Sequence, residues 1–588
     1  MKGRGRTFVV PLHQELDRRN PARDPARGRG VRAGIHRRAV RLRPIAIEKA
    51  YIPPRVPQTV SAFDAVVIGA GHNGLVAAAY LGKAGKRVLV LERRHVLGGA
   101  AVTEEIHPGF KFSELSYVCS MLRPEIIWGL DLPSHGFHVI PQDGSFTPLP
   151  DGNFLYYRGD DEEAFREISK FSKRDAEAMA PYSQLMTRMA RFIAPMLMMT
   201  PPDISSLSPS NLRKLFRLYR HFKPLGERGL DTFVQLMTMS AADYLDEWFE
   251  SEPLKGGLAA DGITGAFLGP RSPGTAWMLL HHFMGEVEGP HRSWGFVRGG
   301  TGMVSEAIAG AARQHGVEIR RSADVRRILV KDGRAHGVEL ANGETIRSRV
   351  VVSNADPKRT FLKLVESGDL PSDYVRGIQN YNAEGSAAKV NLALSERPDF
   401  SCLPGNGPHL SGVITIGPDT EYIERAYDDA KYGDFSRRPF IDVCIPSTLD
   451  PSVAPPGKHI MSMFVQYAPY TLRKGTWPER REEFGDTVIE TMEEYIPNLR
   501  KIILHRQVIT PWDAEQEFGL TGGNIFHGEP TPDQLFFLRP IPGWAQYRTP
   551  IKGLYLCGSG THPGGGIMGA PGHNAAREIL KDWKLRKL

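Results

Sequence analysis

The chain has 588 residues, 41% hydrophobic and 24% charged, with 61 glycines and four cysteines. This is ordinary globular usage, enough for large cores without metals or disulfides, and it excludes wholesale disorder, a collagen-like repeat and a disulfide scaffold. The net charge of +8 is unevenly placed: residues 1–60 carry 15 Lys/Arg against 4 Asp/Glu, leaving 59 basic and 62 acidic residues beyond, a balance of −3.

A slightly acidic body argues against a nucleic-acid partner, because phosphate recognition needs positive charge clustered on the domain itself. No run approaches the roughly 18 apolar residues of a spanning helix. Cys119, Cys402, Cys444 and Cys557 are widely spaced and form no C-x-x-C, so neither a zinc site nor a redox dithiol is expected. Their scarcity suits a reducing intracellular compartment: cytoplasmic in a bacterium, the mitochondrial matrix in a eukaryote. The leader, 1–60, lacks the apolar core of a secretory signal. It reads either as an Arg-rich targeting segment or as an unstructured extension.

Order is expected to start near Phe63. Ala65-Val66-Val67-Ile68 has a buried-strand pattern, Leu75–Ala84 a helical one, and Arg87–Leu91 forms a second strand ending at Glu92. Together they make a β–α–β unit of the size that a parallel crossover requires. Residues 160–290 read as mainly helical. There, Leu185, Met186, Met189, Phe192, Ile193 and Met196 share one helical face, either a core face or an adaptable wall for a lipophilic ligand or membrane surface. From Gly316 to Asn354 short strands alternate with the turn signals Asp332-Gly333 and Asn342-Gly343. Mixed patterns fill 385–510, and a Gly/Pro-rich stretch near 518–572 precedes a final helix at Asn574–Trp583.

Gly69-Ala70-Gly71-His72-Asn73-Gly74 is a G-x-G-x-x-G between strand and helix. Its glycines permit the tight turn, the approach of a pyrophosphate and close helix–strand packing, and the helix N-terminus favours the phosphate charge. Glu92 stands where a carboxylate meets ribose hydroxyls. This unit predicts a bound dinucleotide without deciding between NAD and FAD. At the far end, Gly553–Gly569 runs from a short strand into a glycine-rich turn that lets backbone N–H groups approach a ligand.

After Glu92 the chain reads Arg93-Arg94-His95-Val96-Leu97-Gly98-Gly99. This resembles the E-x-R-x-x-x-G-G continuation of the flavoproteins that include amine oxidases and carotenoid desaturases, although the arginine usual after the paired glycines is Ala100 here. Gly558–Gly569 resembles the C-terminal flavin motif of the phytoene desaturase family, and Gly299–Met303 and Val351–Pro357 resemble further segments of it. More narrowly, Gly71–Ala78, Gly522–Glu529 and Gly558–Gly569 resemble a branch named for pyridine nucleotide-disulfide oxidoreductases, whose cysteine pair this sequence lacks.

The resemblance implies an α/β fold: a discontinuous Rossmann-type FAD-binding domain (61–160, 290–365 and 540–588) with an inserted α+β substrate domain (161–289 and 366–539). It implies an FAD-dependent oxidoreductase moving hydride between flavin and a small, lipophilic substrate. The cofactor contacts it suggests are Gly69, Gly71, His72, Asn73, Gly74, Glu92, Arg93, Arg94, Gly98, Gly99, the backbone of Val325, Gly558, Ser559, Gly566, Ile567 and Met568. The alternatives are an amine or amino-acid oxidase on the same fold, and a flavin- or lipid-binding regulator without turnover. No catalytic acid or base follows from spacing. His527 and His562 are candidates only because glycine-rich segments carry them, and either also reads as a core histidine. His281, His282, Glu286 and Glu288 match no metal motif, and Ser293 and Ser353 lie outside any G-x-S-x-G. Peripheral membrane contact is expected from the methionine helix, and the oligomeric state is left open.

Overall fold

The computed structural model describes residues 63–158, 161–204, 206–287 and 294–588. The leader, Glu288 and Ser293 lie outside these.

Two seven-stranded sheets organise the molecule. In the first, Phe63–Ile68 lies parallel between Val88–Leu91 and Thr345–Ser353, with Ala65 opposite both Val88 and Val350. These strands are almost continuously apolar because both faces are covered: helices pack against Ala65, Val67, Val88 and Val350, while the meander below, with Phe361 and Tyr374, packs against Val66, Ile68, Leu89 and Val351. The strand Thr345–Ser353 plays two parts. Its beginning closes an antiparallel meander with Val325–Lys331 and Arg334–Leu340, and its end pairs in parallel with Leu554–Leu556. At the first meander turn Asp332 and Gly333 have φ of +52° and +67°, the double left-handed geometry that a tight hairpin selects. Helix His72–Lys83 packs between Gly302–Gln314 and the C-terminal helix Ala570–Lys584.

The second sheet runs in the order Ile503–Ile509, Ala387–Leu394, His459–Gln466, Phe440–Cys444, Val413–Ile416, Ser145–Pro148, Phe154–Tyr157. This corrects the first domain boundary. Ser145 and Phe146 pair with Val413 and Ile414, so residues 145–157 belong to this sheet and the expected break at 160 comes too late. Between them and Val413 lies a block of helices, among them Lys173–Leu197, Pro209–Phe222, Gly226–Thr238 and Ala276–Phe283. In Lys173–Leu197, Met186, Met189, Ile193 and Met196 are buried in the core of this block, so the methionine face is chiefly a packing face and not a membrane-contacting one. Among the described residues no helix is long and apolar enough to cross a membrane.

Candidate active site

A cleft opens at the carboxyl ends of the parallel strands, where ligands of such sheets bind. Gly69 turns the chain at φ +90°. Gly71 caps His72–Lys83 without a side-chain acceptor, and no acid occupies the first turn, so the helix presents bare N–H groups to the cleft. A Cβ on Gly71 would come within 2.7 Å of the Asn354 amide nitrogen. Gly74 does not line the cleft; its Cβ would strike the Gly69 carbonyl at 2.3 Å, which is the helix–strand packing role.

Glu92 is buried at the cleft wall, one carboxylate oxygen accepting from Ala70 N (2.8 Å) and the other from Arg94 N (2.9 Å). Two backbone donors thus fix a carboxylate that still has lone pairs for ribose hydroxyls. Arg93 donates to the carbonyls of Gln516 and Glu517, and burial followed by the nearby Arg359 pulls its pKa down. Arg94 donates to Glu104, lies 3.7 Å from Glu114 and stacks 4.5 Å over the Phe518 ring. Gly98, Gly99 and Val325 line the same cleft.

The C-terminal motif meets the fingerprint directly, Asn73 Nδ2 donating to Ser559 Oγ at 3.1 Å. Ser559 also borders a second space, a cavity of about 900 Å³ beneath the second sheet and the helical block. His72, Ala100, Ile525 and Ser559 belong to both, so cleft and cavity adjoin at these residues. Gly566 and Ile567 face the cavity instead of the cleft. Gly558 and Met568 line neither: a Cβ on Gly558 would meet the Asn354 carbonyl at 2.6 Å, and the Met568 carbonyl accepts from Arg123 N at 3.1 Å.

The two histidine candidates separate. His527 lines the cleft, half-buried and held at φ +59°, with desolvation lowering its pKa. His562 lines neither space. Its Nε2–H donates to the Met196 carbonyl at 2.9 Å and its ring stands against Phe536, so it serves packing, because glycine richness around it freed the backbone without aiming the side chain. His72 and His281, both on the cavity, are held neutral: burial first, then His527 and His282 respectively, bring each pKa down to about 3.

Several site residues escaped sequence reasoning. Asn354 backs the fingerprint glycines from the end of Thr345–Ser353. Lys389 is buried in a strand of the second sheet, its Nζ donating to Ser462 Oγ at 2.6 Å, and burial lowers its pKa to about 7. Arg539 is wholly buried, and among the described residues no carboxylate lies within ion-pair distance of it. Its guanidinium donates to the carbonyls of Phe526 (2.8 Å), Gly528 (3.1 Å), Glu529 (3.0 Å), Gln534 (3.2 Å) and Ser559 (2.9 Å), tying the His527 loop to the C-terminal motif.

The cleft suits a dinucleotide on its own chemistry. Beside its glycine turn and bare helix terminus, the buried His72 Nε2, Asn73 Oδ1, Arg94 Nη1 and His527 Nδ1 have no protein partner. Such orphaned groups call for a polar ligand. Cleft, fixed acid and adjoining cavity define a dinucleotide-binding protein with room for a substrate beside its cofactor.

Residues 263–580 match the family of flavin containing amine oxidoreductases, and residues 67–141 match an NAD(P)-binding Rossmann-like domain. The chain is 45% identical over 545 residues to pyridine nucleotide-disulfide oxidoreductase domain-containing protein 2 of Rattus norvegicus, covering 89% of this chain and 94% of that one. It is 28% identical to one of the limonene dehydrogenase subunits of Castellaniella defragrans, covering 89% and 95%. In fold it resembles an oxidoreductase from Methanosarcina mazei, with a TM-score of 0.56 and 19% identity over 88% of this chain and 99% of that one. The protein belongs to the flavin containing amine oxidoreductase family; it is an FAD-dependent oxidoreductase and acts on small molecules.

Proposed function

We propose that the protein oxidises or reduces a lipophilic small molecule held in the 900 Å³ cavity, exchanging a hydride with FAD in the adjoining cleft. The observation that carries this is that cleft and cavity adjoin at His72, Ala100, Ile525 and Ser559, combined with walls built from residues such as Leu115, Met121, Met179, Phe464 and Phe526. FAD, when bound, supplies the two-electron chemistry; the chain supplies position and a dry environment. The N–H groups of the His72–Lys83 terminus would hold the pyrophosphate, Glu92 the ribose hydroxyls and the Val325 backbone the adenine edge, while the Asn73–Ser559 hydrogen bond ties the fingerprint to the C-terminal motif where cleft and cavity adjoin. Held neutral by burial, His72 and His281 add no positive charge to the cavity wall. The named substrate of the limonene dehydrogenase relative, a terpene, supports the same class.

Membrane delivery of such a substrate fits a different surface from the methionine helix. Leu212, Phe216 and Tyr219 on Pro209–Phe222, Leu230 and Val234 on Gly226–Thr238, and the preceding Leu207 are all exposed. Helix Pro209–Phe222 also carries four basic side chains and no acid, the pattern of a helix lying on an anionic bilayer.

The test of function is to purify the protein, release and identify its cofactor, and follow anaerobic bleaching of the flavin spectrum with terpenoid and other lipophilic candidates. Stoichiometric FAD bleached by such a compound supports the proposal. A protein that neither carries nor takes up FAD overturns it.

A further inference from the structure

On the sheet side of the cavity lies a polar patch that a plain hydrocarbon substrate does not require. Tyr117, Thr415 and Asp442 all line the cavity, the last two from adjacent strands of the second sheet. The Thr415 hydroxyl donates to Asp442 Oδ1 at 2.9 Å, and the Tyr117 hydroxyl donates to Oδ2 at 3.2 Å. Both hydroxyl protons therefore point into the carboxylate. With Asp442 ionised, what the patch offers to the cavity is acceptors: the remaining carboxylate lone pairs and the oxygens of the two hydroxyls.

The charged side chains around it are mostly acidic. Asp261 lines the cavity too, and Asp161 and Glu162 stand on its wall; the one arginine there, Arg158, is paired with Asp143. Lys389 approaches from behind, 4.8 Å over the Tyr117 ring, with its ammonium donating to Ser462 and not lining the cavity. Cys444 is buried nearby. Burial chiefly, with Asp261 adding, raises the Asp442 pKa to about 7, while Thr415, Tyr117 and Lys389 favour the carboxylate. A buried acceptor cluster with unspent lone pairs is costly unless a donor meets it.

We infer that Asp442, flanked by Tyr117 and Thr415, is a specificity site that holds a hydrogen-bond-donating head group of the substrate, an amine or a hydroxyl, while the apolar body fills the rest of the cavity. This rests on the proposed function, since the cavity must be the substrate site. The substrate class is thereby narrowed from hydrocarbons to amphiphiles with one donor-bearing end.

The test uses the FAD-loaded protein and three probes of equal chain length: octylamine, 1-octanol and octyl methyl ether, which accepts hydrogen bonds but donates none. Binding is read by calorimetry and by perturbation of the flavin spectrum. The amine or the alcohol should bind at least tenfold tighter than the ether, and Asp442→Asn and Thr415→Val should each shrink that ratio several-fold without changing ether affinity or flavin content. Tighter amine binding identifies a charged head group, and tighter alcohol binding a neutral one. Thr415→Val keeps the test open if Asp442→Asn fails to fold. Equal binding of all three, or a preference that survives both substitutions, overturns the inference while leaving a lipophilic cavity intact. If none of the three binds, the cavity is not the substrate site and the proposed function falls with it.

Discussion

Arg539 offers the sharpest test of how the site is held. Replacing it with methionine removes the donor to five buried carbonyls. The Glu529 carbonyl keeps the Gln534 side-chain amide, 3.1 Å away, and the other four lose the guanidinium. An unsatisfied buried acceptor costs about 1–3 kcal/mol. Removing a buried charge also returns its desolvation cost, so the lower end applies and the net loss is about 4 kcal/mol. That lies at the edge of what single substitutions do. Arg539→Lys keeps the charge and has three donors for those four carbonyls, so by the same arithmetic it should cost about 1 kcal/mol. Urea unfolding of both variants gives the energies, and hydrogen exchange across 524–540 shows whether the His527 loop has come loose. FAD content should fall with loop protection, because Ser559 is fixed through the same guanidinium. A loss below about 1 kcal/mol for Arg539→Met, with normal protection and flavin, would refute the assignment.

Three further outcomes are expected. Gly71→Val should abolish FAD retention, since its Cβ alone would sit 2.7 Å from the Asn354 amide; Gly85→Ala, strained at φ +74° but with open space around it, should keep FAD and cost only about 1 kcal/mol in melting experiments. Glu529 is a buried acid whose pKa is raised to about 8, by burial first, so the folded state holds its proton more tightly than the unfolded one. Its contribution to stability therefore falls as pH rises from near 4.5 towards about 8, and urea titrations should show Glu529→Gln gaining on wild type across that window. Finally, Leu212→Glu with Phe216→Glu should abolish flotation with anionic liposomes while leaving the flavin spectrum unchanged; undiminished flotation would place membrane contact elsewhere.

The cofactor half of the molecule was legible because its signals are local. Strand, glycine turn, helix and acid follow one another between Phe63 and Glu92, and the hairpin turns announce themselves by Asp-Gly and Asn-Gly. The substrate half was not. Thr415, Asp442 and Lys389 sit in strands whose neighbours are apolar, and only assembly of the second sheet shows which of them look into the cavity. The misplaced boundary has the same origin, because nothing near Ser145 signals a partner at Val413. His562 was credited with the freedom of its glycine neighbours, whereas Met196, far away in sequence, decides where its ring goes. Arg539 carried no signal at all, since its five acceptors are backbone carbonyls and any sequence supplies those.

The pairing of Leu554–Leu556 with Val351–Ser353 bears on how the protein is made. The first sheet begins at Phe63 and cannot be completed until the last strand leaves the ribosome, and the second waits for Ile503–Ile509 to join strands begun at Ser145. At ordinary synthesis speeds of about 5–20 residues per second, the opening strand waits roughly 25–100 s for its full sheet. During that interval the apolar run Ala65–Ile68 lacks its final surroundings, and the nascent chain is a natural client for holding chaperones. A chain cut anywhere before Leu554 loses the strand, the flavin motif and the closing helix together, so truncation products should accumulate as insoluble chains and not as half-active enzymes.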